Sequence, residues 1–545
     1  MTAAPRILPM GDRAVLVEVG ALEEVLALAR RLEASRPEGV IDLVPAARTV
    51  LVRVDPAVLS LASARSWVRG DRADAAPAAP APRDVVDLDV VYDGADLAGA
   101  AALLGISPEA LVHRHTSAQW TVAFTGFAPG FGYLVSPDWP FDVPRLESPR
   151  TRVPAGSVGL AGAFSGAYPR ETPGGWRLIG TTGAALWDPD ADSPALLVPG
   201  MSVRFRAVRA SPGVGDRPGS GRSGTVRPSG VSPSFGSTPS FGSSPGFGNT
   251  PGSGSTRGIR IVAPGLLATV QDRGREGAAS VGVSRSGALD RTALGIANRL
   301  VGNARDAAGI EVTMGGFRAV AECDLWFAVA GAWGPLRLAG RAIDPYEAHA
   351  WYAGDELQLD WFAHGARAYL AVRGGVEAPL VLGSRSTDRL AGLGPEALRA
   401  GECLTVGAGA ADAVPVVPPS PWGVPHDDEF EVELAPGPRA DWFTDAARAT
   451  LFDSVWTVTA DADRVGIRLD GPVLERARGG ELPSEGMVPG ALQVPPSGRP
   501  TILLADGPVT GGYPVIAVVT DASLDLLAQA RPGTRLRFRH ARVSG

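Results

Sequence analysis

The sequence predicts a mainly β protein made of two halves, with a small α+β subdomain at its start and a closed barrel in each half. Three observations support this fold class. Glycine and proline are abundant, at 69 and 48 of 545 residues, which favours turn-linked strands over long helices. Short apolar stretches alternate with glycine and proline turns, a pattern typical of barrels. A stretch rich in serine, glycine and proline divides the chain at residues 209–257.

The first predicted unit, residues 1–83, is the α+β subdomain. The stretches "RAVLVEVG" and "TVLVRVD" alternate as strands do. Between them, "ALEEVLALARRLEAS" has apolar residues at helical spacing. An alanine- and proline-rich tract at residues 73–84 separates this unit from the next.

The second predicted unit, residues 84–208, is a barrel. It begins with the strand "VVDLDVVYD" and a helix over "DLAGAAALLGISPEALVHRHTS". Beyond Thr121, turns and short strands dominate.

The tract at residues 209–257 is expected to be a disordered linker, because it has too few apolar residues to offset the entropy of ordering. Its degenerate Pro-x-Phe-Gly repeat leaves a docking motif open as the alternative. The last unit, residues 258–545, opens with the strand "IRIVAPG", has a helix near "ALDRTALGIANRLVGN", and otherwise consists of predicted strands.

Composition excludes several classes of protein. The net charge of −7 argues against a nucleic-acid scaffold. No apolar run is long enough to span a bilayer, and the start lacks the features of a signal peptide, so we expect a cytoplasmic protein without membrane contact. Cys323 and Cys403 are expected to be two separate free thiols.

The sequence contains no lysine, so every permanently cationic side chain is an arginine. This chain therefore cannot carry biotin on a lysine, form a lysine Schiff base or use a P-loop lysine. Any phosphate must be bound by arginine side chains, backbone N–H groups or a metal ion.

Few stretches carry recognisable chemistry. No zinc, nucleophile-elbow or P-loop motif is present, and His113 and His115 are too close on one helix to share a face as metal ligands. Arg150 and Arg152 lie near each other in the sequence. They either form an anion-binding site or are solvated surface charges. The stretch "GSRST" at Gly383–Thr387 sets hydroxyls and a guanidinium beside a glycine, a plausible anion-binding nest.

Longer motifs show a family resemblance. "GDRAVLVEVG", "FTGFAPGFGYL", "SPRTRVPAGSVGLAG" and "YPRETPGGWRLIGTT" resemble the B subunit of the prokaryotic ATP-dependent 5-oxoprolinase. "APGLLATVQDRGR", "GALDRTALGIANRLVGN", "GSRST", "DRVGIRLDGP" and "ELPSEGMVPGALQVPPSGRPTILLADGPVTGGYP" resemble its C subunit. These are also known as allophanate-hydrolase subunits 1 and 2, and they are similar to the carboxyltransferase region of urea carboxylase.

The resemblance implies cyclophilin-like β-barrels in both halves and a natural fusion of B and C. It also implies opening of 5-oxoproline to glutamate with ATP and Mg²⁺ (the metal ligands being unknown), together with a separate A subunit. Whether the protein also forms a homo-oligomer is left open. Phe164 departs from the family, in which a glutamine occupies this position. The departure predicts either an altered substrate or simple packing in the barrel wall.

Site residues are assigned on this resemblance as hypotheses. The candidate catalytic residues are His115 as a proton shuttle, with Glu485 or Asp506 holding Mg²⁺ or orienting water. The candidate ligands of substrate or phosphate are Arg150, Arg152, Tyr168, Gln271, Asp272, Arg385, Ser386, Thr387, Gln493, Thr510 and Tyr513. Two alternatives remain: a carboxyltransferase that uses carboxybiotin carried by another protein, and a regulatory module that docks on a kinase.

Overall fold

The computed structural model describes residues 5–70, 85–148, 150–191, 193–209, 257–409, 413–415, 428–480 and 482–542. The stretch predicted to be a disordered linker lies, but for its end residues, outside the described residues. Strands greatly outnumber helices in the described part of the chain, which confirms the mainly β fold class.

The N-terminal subdomain is a four-stranded antiparallel sheet, in the order β1-β2-β4-β3, packed against two helices. Its elements are β1 (Arg6–Pro9), β2 (Ala14–Glu18), α1 (Leu22–Ala34), β3 (Val40–Pro45), β4 (Thr49–Val54) and α2 (Leu61–Arg69). Helix α1 buries Val25, Leu28 and Leu32 against the sheet. This three- and four-residue spacing is the apolar stripe that identifies the helix in the sequence.

The first barrel follows and is a seven-stranded sheet in the order β12-β9-β10-β7-β6-β13-β5. Its elements, including the separate two-stranded sheet β8-β11, are β5 (Val85–Val90), α3 (Leu97–Leu103), α4 (Pro108–Ser117), β6 (Trp120–Thr125), β7 (Gly132–Val135), β8 (Arg150–Val153), β9 (Ser157–Ala161), β10 (Phe164–Ala167), β11 (Thr172–Gly174), β12 (Arg177–Thr181) and β13 (Ser202–Ala207).

Closure of this barrel depends on glycines at the two edges that meet. Val91, just after β5, and Thr181 of β12 exchange two backbone hydrogen bonds of 2.8 Å, which join the two edge strands of the sheet. A Cβ atom at Gly180 would lie 2.5 Å from the carbonyl oxygen of Val91, and one at Gly94 would lie 2.4 Å from the backbone of β12. Only glycine allows the two edges to approach this closely.

The helix predicted over residues 96–117 is two helices. Gly105 has a φ of 67°, a left-handed conformation that ends α3. Ser107 then accepts a hydrogen bond from the N–H of Ala110, and Pro108 occupies the first turn of α4. Serine followed by proline is a favoured start for a new helix.

The C-terminal half contains two units, and only the second is a barrel. The first unit pairs a six-stranded sheet, β20-β19-β22-β17-β14-β24, with a five-stranded sheet, β15-β16-β23-β18-β21, around one apolar core. Its elements are β14 (Gly258–Pro264), β15 (Leu267–Gln271), α5 (Arg291–Leu300), β16 (Gly309–Thr313), β17 (Phe317–Ala321), β18 (Leu325–Trp333), β19 (Leu336–Leu338), β20 (Arg341–Ala342), β21 (His349–Trp351), β22 (Glu356–Leu359), β23 (His364–Val372) and β24 (Cys403–Thr405).

The second unit is a closed barrel in the order β25-β32-β29-β30-β27-β26-β33. Its elements, including the short pair β28-β31, are β25 (Glu429–Pro436), α6 (Asp445–Asp453), β26 (Val455–Val458), β27 (Gly466–Asp470), β28 (Glu485–Gly486), β29 (Ala491–Gln493), β30 (Thr501–Leu503), β31 (Thr510–Gly511), β32 (Val515–Val519), α7 (Asp521–Leu527) and β33 (Arg535–His540).

The two barrels share one topology. In each, the first and last strands run parallel, and the remaining five strands follow in the same cyclic order. Local contacts repeat as well: Trp120 donates its indole N–H to the carbonyl of His115, and Trp456 donates to Leu451, in both cases five residues earlier. A buried Trp that links a helix to the next strand is therefore a common feature of both barrels.

The N-terminal subdomain packs directly on the second barrel. Leu16 and Leu51 of the subdomain share an apolar core with Met487 and Val518 of the barrel. Backbone hydrogen bonds also cross this boundary, from Gly11 to Pro436 at 3.1 Å among others. Each fully buried apolar side chain stabilises such an interface by roughly 1.5–3 kcal/mol, so the two halves form one body.

Candidate functional site

The Gly383–Thr387 loop already holds an anion, and that anion belongs to the chain itself. The Asp272 carboxylate accepts hydrogen bonds from the hydroxyls of Ser384 and Ser386, at 2.6 and 2.5 Å. It also accepts the backbone N–H of Arg385 at 2.6 Å. The expectation that this loop binds a substrate anion is thus corrected, because its donors are used by Asp272.

The side chains around this loop have structural partners. Gln271 donates its amide to Thr269 and to the carbonyl of Thr387, both at 3.0 Å. The guanidinium of Arg385 points away from the nest to the carboxylate of Glu377, 2.8 Å away. We therefore reassign Gln271, Asp272 and Arg385 from ligand binding to holding two loops together.

Asp506 is part of a buried ion-pair network. Both of its oxygens accept hydrogen bonds of 2.9 Å from Arg464, which also donates to Glu311 at 2.6 Å. Burial raises the pKa of the Asp506 carboxyl, and the adjacent guanidinium opposes this rise. Both oxygens of Asp506 are thus engaged by Arg464, and its predicted role in binding Mg²⁺ or orienting water stays a prediction.

Glu485 lies at the boundary between the halves. It forms a buried ion pair with Arg439, which also binds Glu18 of the N-terminal subdomain. Burial raises the pKa of Glu485, while Arg439 opposes that effect. This arrangement gives Glu485 a role in joining the halves instead of the predicted catalytic role.

His115 is enclosed in the first barrel. Its Nδ1 lies 2.7 Å from the hydroxyl of Tyr92, and its Nε2 lies 2.8 Å from the hydroxyl of Ser165. Burial lowers the pKa of His115 to about 3, so the ring is neutral near pH 7. The ring is buried and both of its nitrogens have partners inside the barrel, and its role as a proton shuttle stays a prediction.

The other predicted ligands of the first half do not converge. Arg150 pairs with Asp96 at 2.7 Å, whereas Arg152 is largely exposed and pairs with Glu171 at 2.6 Å. Tyr168 is buried in an aromatic cluster, with its ring centroid 5.0 Å from that of Phe131.

Phe164 belongs to the same aromatic cluster. Its ring meets those of Phe124 and Tyr133 edge to face, at 5.8 and 5.7 Å. These contacts favour the packing explanation for its departure from the family.

The predicted ligands of the second half are likewise spread out. Thr510 accepts the backbone N–H of Phe127 at 3.1 Å and so links the first barrel to the second. Gln493 is buried beside the sulfur of Met487, at 3.3 Å, and Tyr513 is exposed. Ser386 and Thr387 are buried within the nest.

A cleft of about 580 Å³ lies where the N-terminal subdomain meets the C-terminal half. This volume is within the ordinary range of small-molecule sites. The subdomain contributes residues near Asp12 and Arg53, and the C-terminal half contributes Arg285, Arg291 and the start of α7. The charged residues that line it are Arg13, Arg53, Arg273, Arg285, Arg291, Arg305, Asp12, Asp55, Asp272, Glu276, Asp306, Asp521 and Asp525.

Most charges on one wall of the cleft neutralise one another. Arg291 pairs with Asp521 at 2.8 Å and with Asp525 at 2.9 Å. Arg13, from the other half of the chain, pairs with Asp521 at 2.5 Å. On the opposite side, Arg53 pairs with Asp42 at 2.5 Å. Arg285 has a weaker contact, 3.5 Å from Glu276.

Of the residues predicted as ligands, only Asp272 lines this cleft. Sequence reasoning missed Arg53, Arg285 and Arg291, because each is a single arginine in an unremarkable context. Arg285 and Arg291 are close in sequence, and packing of the N-terminal subdomain brings Arg53 to the same cleft.

The described residues offer neither a cluster of metal-binding side chains nor a membrane-spanning helix. They contain no group of three or more His, Cys, Asp or Glu side chains placed to hold a metal ion. None of the helices within them has the length and apolar character needed to cross a bilayer.

Comparison with known proteins matches each half separately. Residues 281–540 match the family model of the carboxyltransferase domain, subdomain A and B, and residues 5–197 match that of subdomain C and D. One relative, the C subunit of 5-oxoprolinase from Escherichia coli (strain K12), is 38% identical over 51% of this chain and 90% of its own length. Another, the B subunit of 5-oxoprolinase from Bacillus subtilis (strain 168), is 35% identical over 38% of this chain and 93% of its own length.

One solved structure spans both halves. The crystal structure of TTHA0988 superposes with a TM-score of 0.79 at 35% identity, covering 97% of this chain and 100% of that one. The arrangement of the two halves is therefore shared with a known structure.

Proposed function

The chain belongs to the family of 5-oxoprolinase B and C subunits, joined here in that order in one polypeptide, and we propose that it supplies both of them to an ATP-dependent 5-oxoprolinase. One observation carries the proposal. A B subunit and a C subunit of 5-oxoprolinase each match this chain over about nine tenths of the subunit's own length. The cleft between the two halves adds support, because residues of both halves line it.

The reaction must overcome the resonance stability of the lactam. Transfer of the γ-phosphoryl group from ATP to the amide oxygen releases ADP and leaves the ring carbon open to attack. One water adds to that carbon, and the C–N bond breaks to give an acyl phosphate with a free amine. A second water then releases phosphate and glutamate, so one ATP and two waters are consumed.

The chain's own residues would bind and orient the substrate in the cleft. The guanidinium of Arg285, whose nearest carboxylate lies 3.5 Å away, suits the substrate carboxylate or the transferred phosphoryl group, whereas Arg53 and Arg291 already have close partners. Fixed charges inside a partly enclosed site stabilise developing charge better than water does, because they need no reorganisation.

In this proposal ATP is a substrate, and Mg²⁺ is bound to it. The cleft carboxylates Asp521 and Asp525 are paired with Arg291, and no three-ligand cluster occurs in the described residues, so the chain offers no resident metal site there. Mg²⁺ commonly binds through substrate phosphates with few protein ligands, and we propose that it arrives with the nucleotide. A partner A subunit completes the enzyme.

Reconstitution tests the proposal. The purified chain is mixed with an A subunit of the same family, and glutamate and ADP are measured with 5-oxoproline as substrate. We expect the two products in equal amounts, and none from the chain without its partner. Absence of both products from the mixture, with the proteins folded and associated, contradicts the proposal. Carboxyl transfer from carboxybiotin in the same assay would instead favour the carboxyltransferase alternative.

A further inference from the structure

Arg285 lies in a backbone segment that hydrogen bonds tie to other parts of the chain. Its carbonyl accepts the N–H of Arg275 at 2.6 Å, and the next residue, Ser286, donates its N–H to Ala505 at 2.9 Å. Ser286 has a φ of 53°, in the left-handed region that residues other than glycine seldom adopt. Such strain persists only where the surroundings impose it, and it is often found at functional sites.

The guanidinium of Arg285 differs from those of the other buried arginines. Arg275, Arg439 and Arg464 each donate hydrogen bonds to at least two carbonyl or carboxylate oxygens. Arg285 donates none to any side chain or carbonyl among the described residues, and its Nε is buried without a partner. Its nearest carboxylate, Glu276, lies 3.5 Å away.

Charges of both signs surround Arg285 in the cleft. Arg53 and Arg291 both face it, and Asp521 and Glu276 are the acidic groups that oppose them. Arg53 and Asp521 already have partners of their own, at 2.5 Å and 2.8 Å. Burial, followed by the repulsion of Arg291 and Arg53, lowers the pKa of Arg285 to about 10, so it remains charged near pH 7.

We infer that the Arg285 end of the cleft is an oxyanion site, with Arg285 as its main ligand for a carboxylate or phosphate group. A planar guanidinium forms two parallel hydrogen bonds with either group. The site itself stands on this geometry. Assigning its occupant as the 5-oxoproline carboxylate or the transferred phosphoryl group rests on the proposed function.

Binding to the full-length chain tests the inference without catalysis. Calorimetry with inorganic phosphate, with 5-oxoproline, and with 2-pyrrolidinone, which is the same lactam without the carboxylate, separates the possible occupants. We expect Arg285→Gln to weaken the binding of phosphate or 5-oxoproline by about tenfold to a hundredfold. Arg260→Gln is the control, because Arg260 is a half-exposed arginine of β14 that pairs with Glu322.

The pattern of binding identifies the anion. Binding of 5-oxoproline alone identifies a carboxylate site, and binding of phosphate alone identifies a phosphoryl site. Equal binding by wild type and Arg285→Gln overturns the inference, as does failure of both anions to bind the wild-type chain at millimolar concentration.

Thermal unfolding gives a second readout. Since the buried guanidinium of Arg285 is opposed only by the weak contact to Glu276 at 3.5 Å, Arg285→Gln should melt at a higher temperature than the wild type. Phosphate or 5-oxoproline should raise the melting temperature of the wild type and leave that of Arg285→Gln unchanged. A variant that melts several degrees lower would show Arg285 to be structural. If the reconstituted enzyme is inactive but the chain still binds anions through Arg285, the proposed reaction is contradicted and the oxyanion site is not.

Discussion

Glu18 and Arg439 form an ion pair at 2.7 Å although 421 residues separate them in the chain. The first belongs to the N-terminal subdomain and the second to the closed barrel of the C-terminal half. Arg439 also binds the buried Glu485, so one guanidinium holds a carboxylate from each half. The pair is partly shielded from water, where ion pairs are stronger than at an open surface.

The first prediction concerns association of the halves. Produced as separate chains of residues 1–208 and 258–545, they should bind each other, because each has its own core and the boundary between them is apolar. Glu18→Gln should weaken this association by about tenfold, since the charge on Arg439 would lose one partner. Calorimetric titration of one half with the other measures the effect. Glu33→Gln serves as the control, because Glu33 is exposed and contacts only Arg36 among its ion-pair partners.

The second prediction concerns the nest around Asp272. Asp272→Ala should lower the free energy of unfolding by roughly 3 kcal/mol or more, because it leaves buried hydroxyls and an N–H group without an acceptor. Arg385→Lys should leave both stability and turnover nearly unchanged, because that side chain reaches only Glu377 near the surface. Urea denaturation measures the first effect, and a large loss of turnover in Arg385→Lys would return this residue to the site.

The third prediction concerns pH. His115 has its pKa lowered from 6.5 to about 3 by burial, so the unfolded chain binds a proton in this interval while the folded chain does not. The free energy of unfolding should therefore fall as pH decreases from 6.5 towards 3. His115→Gln should be less stable near pH 7, because the partners Tyr92 and Ser165 are disturbed, but it should lose this part of the acid sensitivity. Identical slopes of stability against pH in the two proteins would contradict the expectation.

The fourth prediction concerns Phe164. Phe164→Gln should lower the free energy of unfolding by about 1 kcal/mol, because two edge-to-face ring contacts are lost. The value of kcat/KM for 5-oxoproline in the reconstituted enzyme should stay within about twofold. An increase of tenfold with stability retained would instead support a role for residue 164 in substrate choice.

Local patterns in the sequence were sufficient for most of the fold. The strands of the N-terminal sheet and helix α1 follow from alternation and from the helical spacing of Val25, Leu28 and Leu32. The sequence analysis predicted one helix where the structure has α3 and α4, although Gly105, Ser107 and Pro108 are standard local signals for the end of one helix and the start of another. These features depend on residues within a few positions of each other, and that is why sequence reasoning can reach them.

The sequence by itself thus determined a lysine-free, mainly β chain of two halves whose motifs match known subunits. Only the tertiary structure decided which polar groups remain available for a ligand. Asp272 fills the nest that looked free in the sequence, and Arg285 remains without a hydrogen-bonded acceptor in the described structure although nothing in its sequence context distinguishes it. The physical reason is that charge pairing and desolvation depend on distances in space. The donors that surround the Asp272 carboxylate, for example, come from a segment more than a hundred residues away.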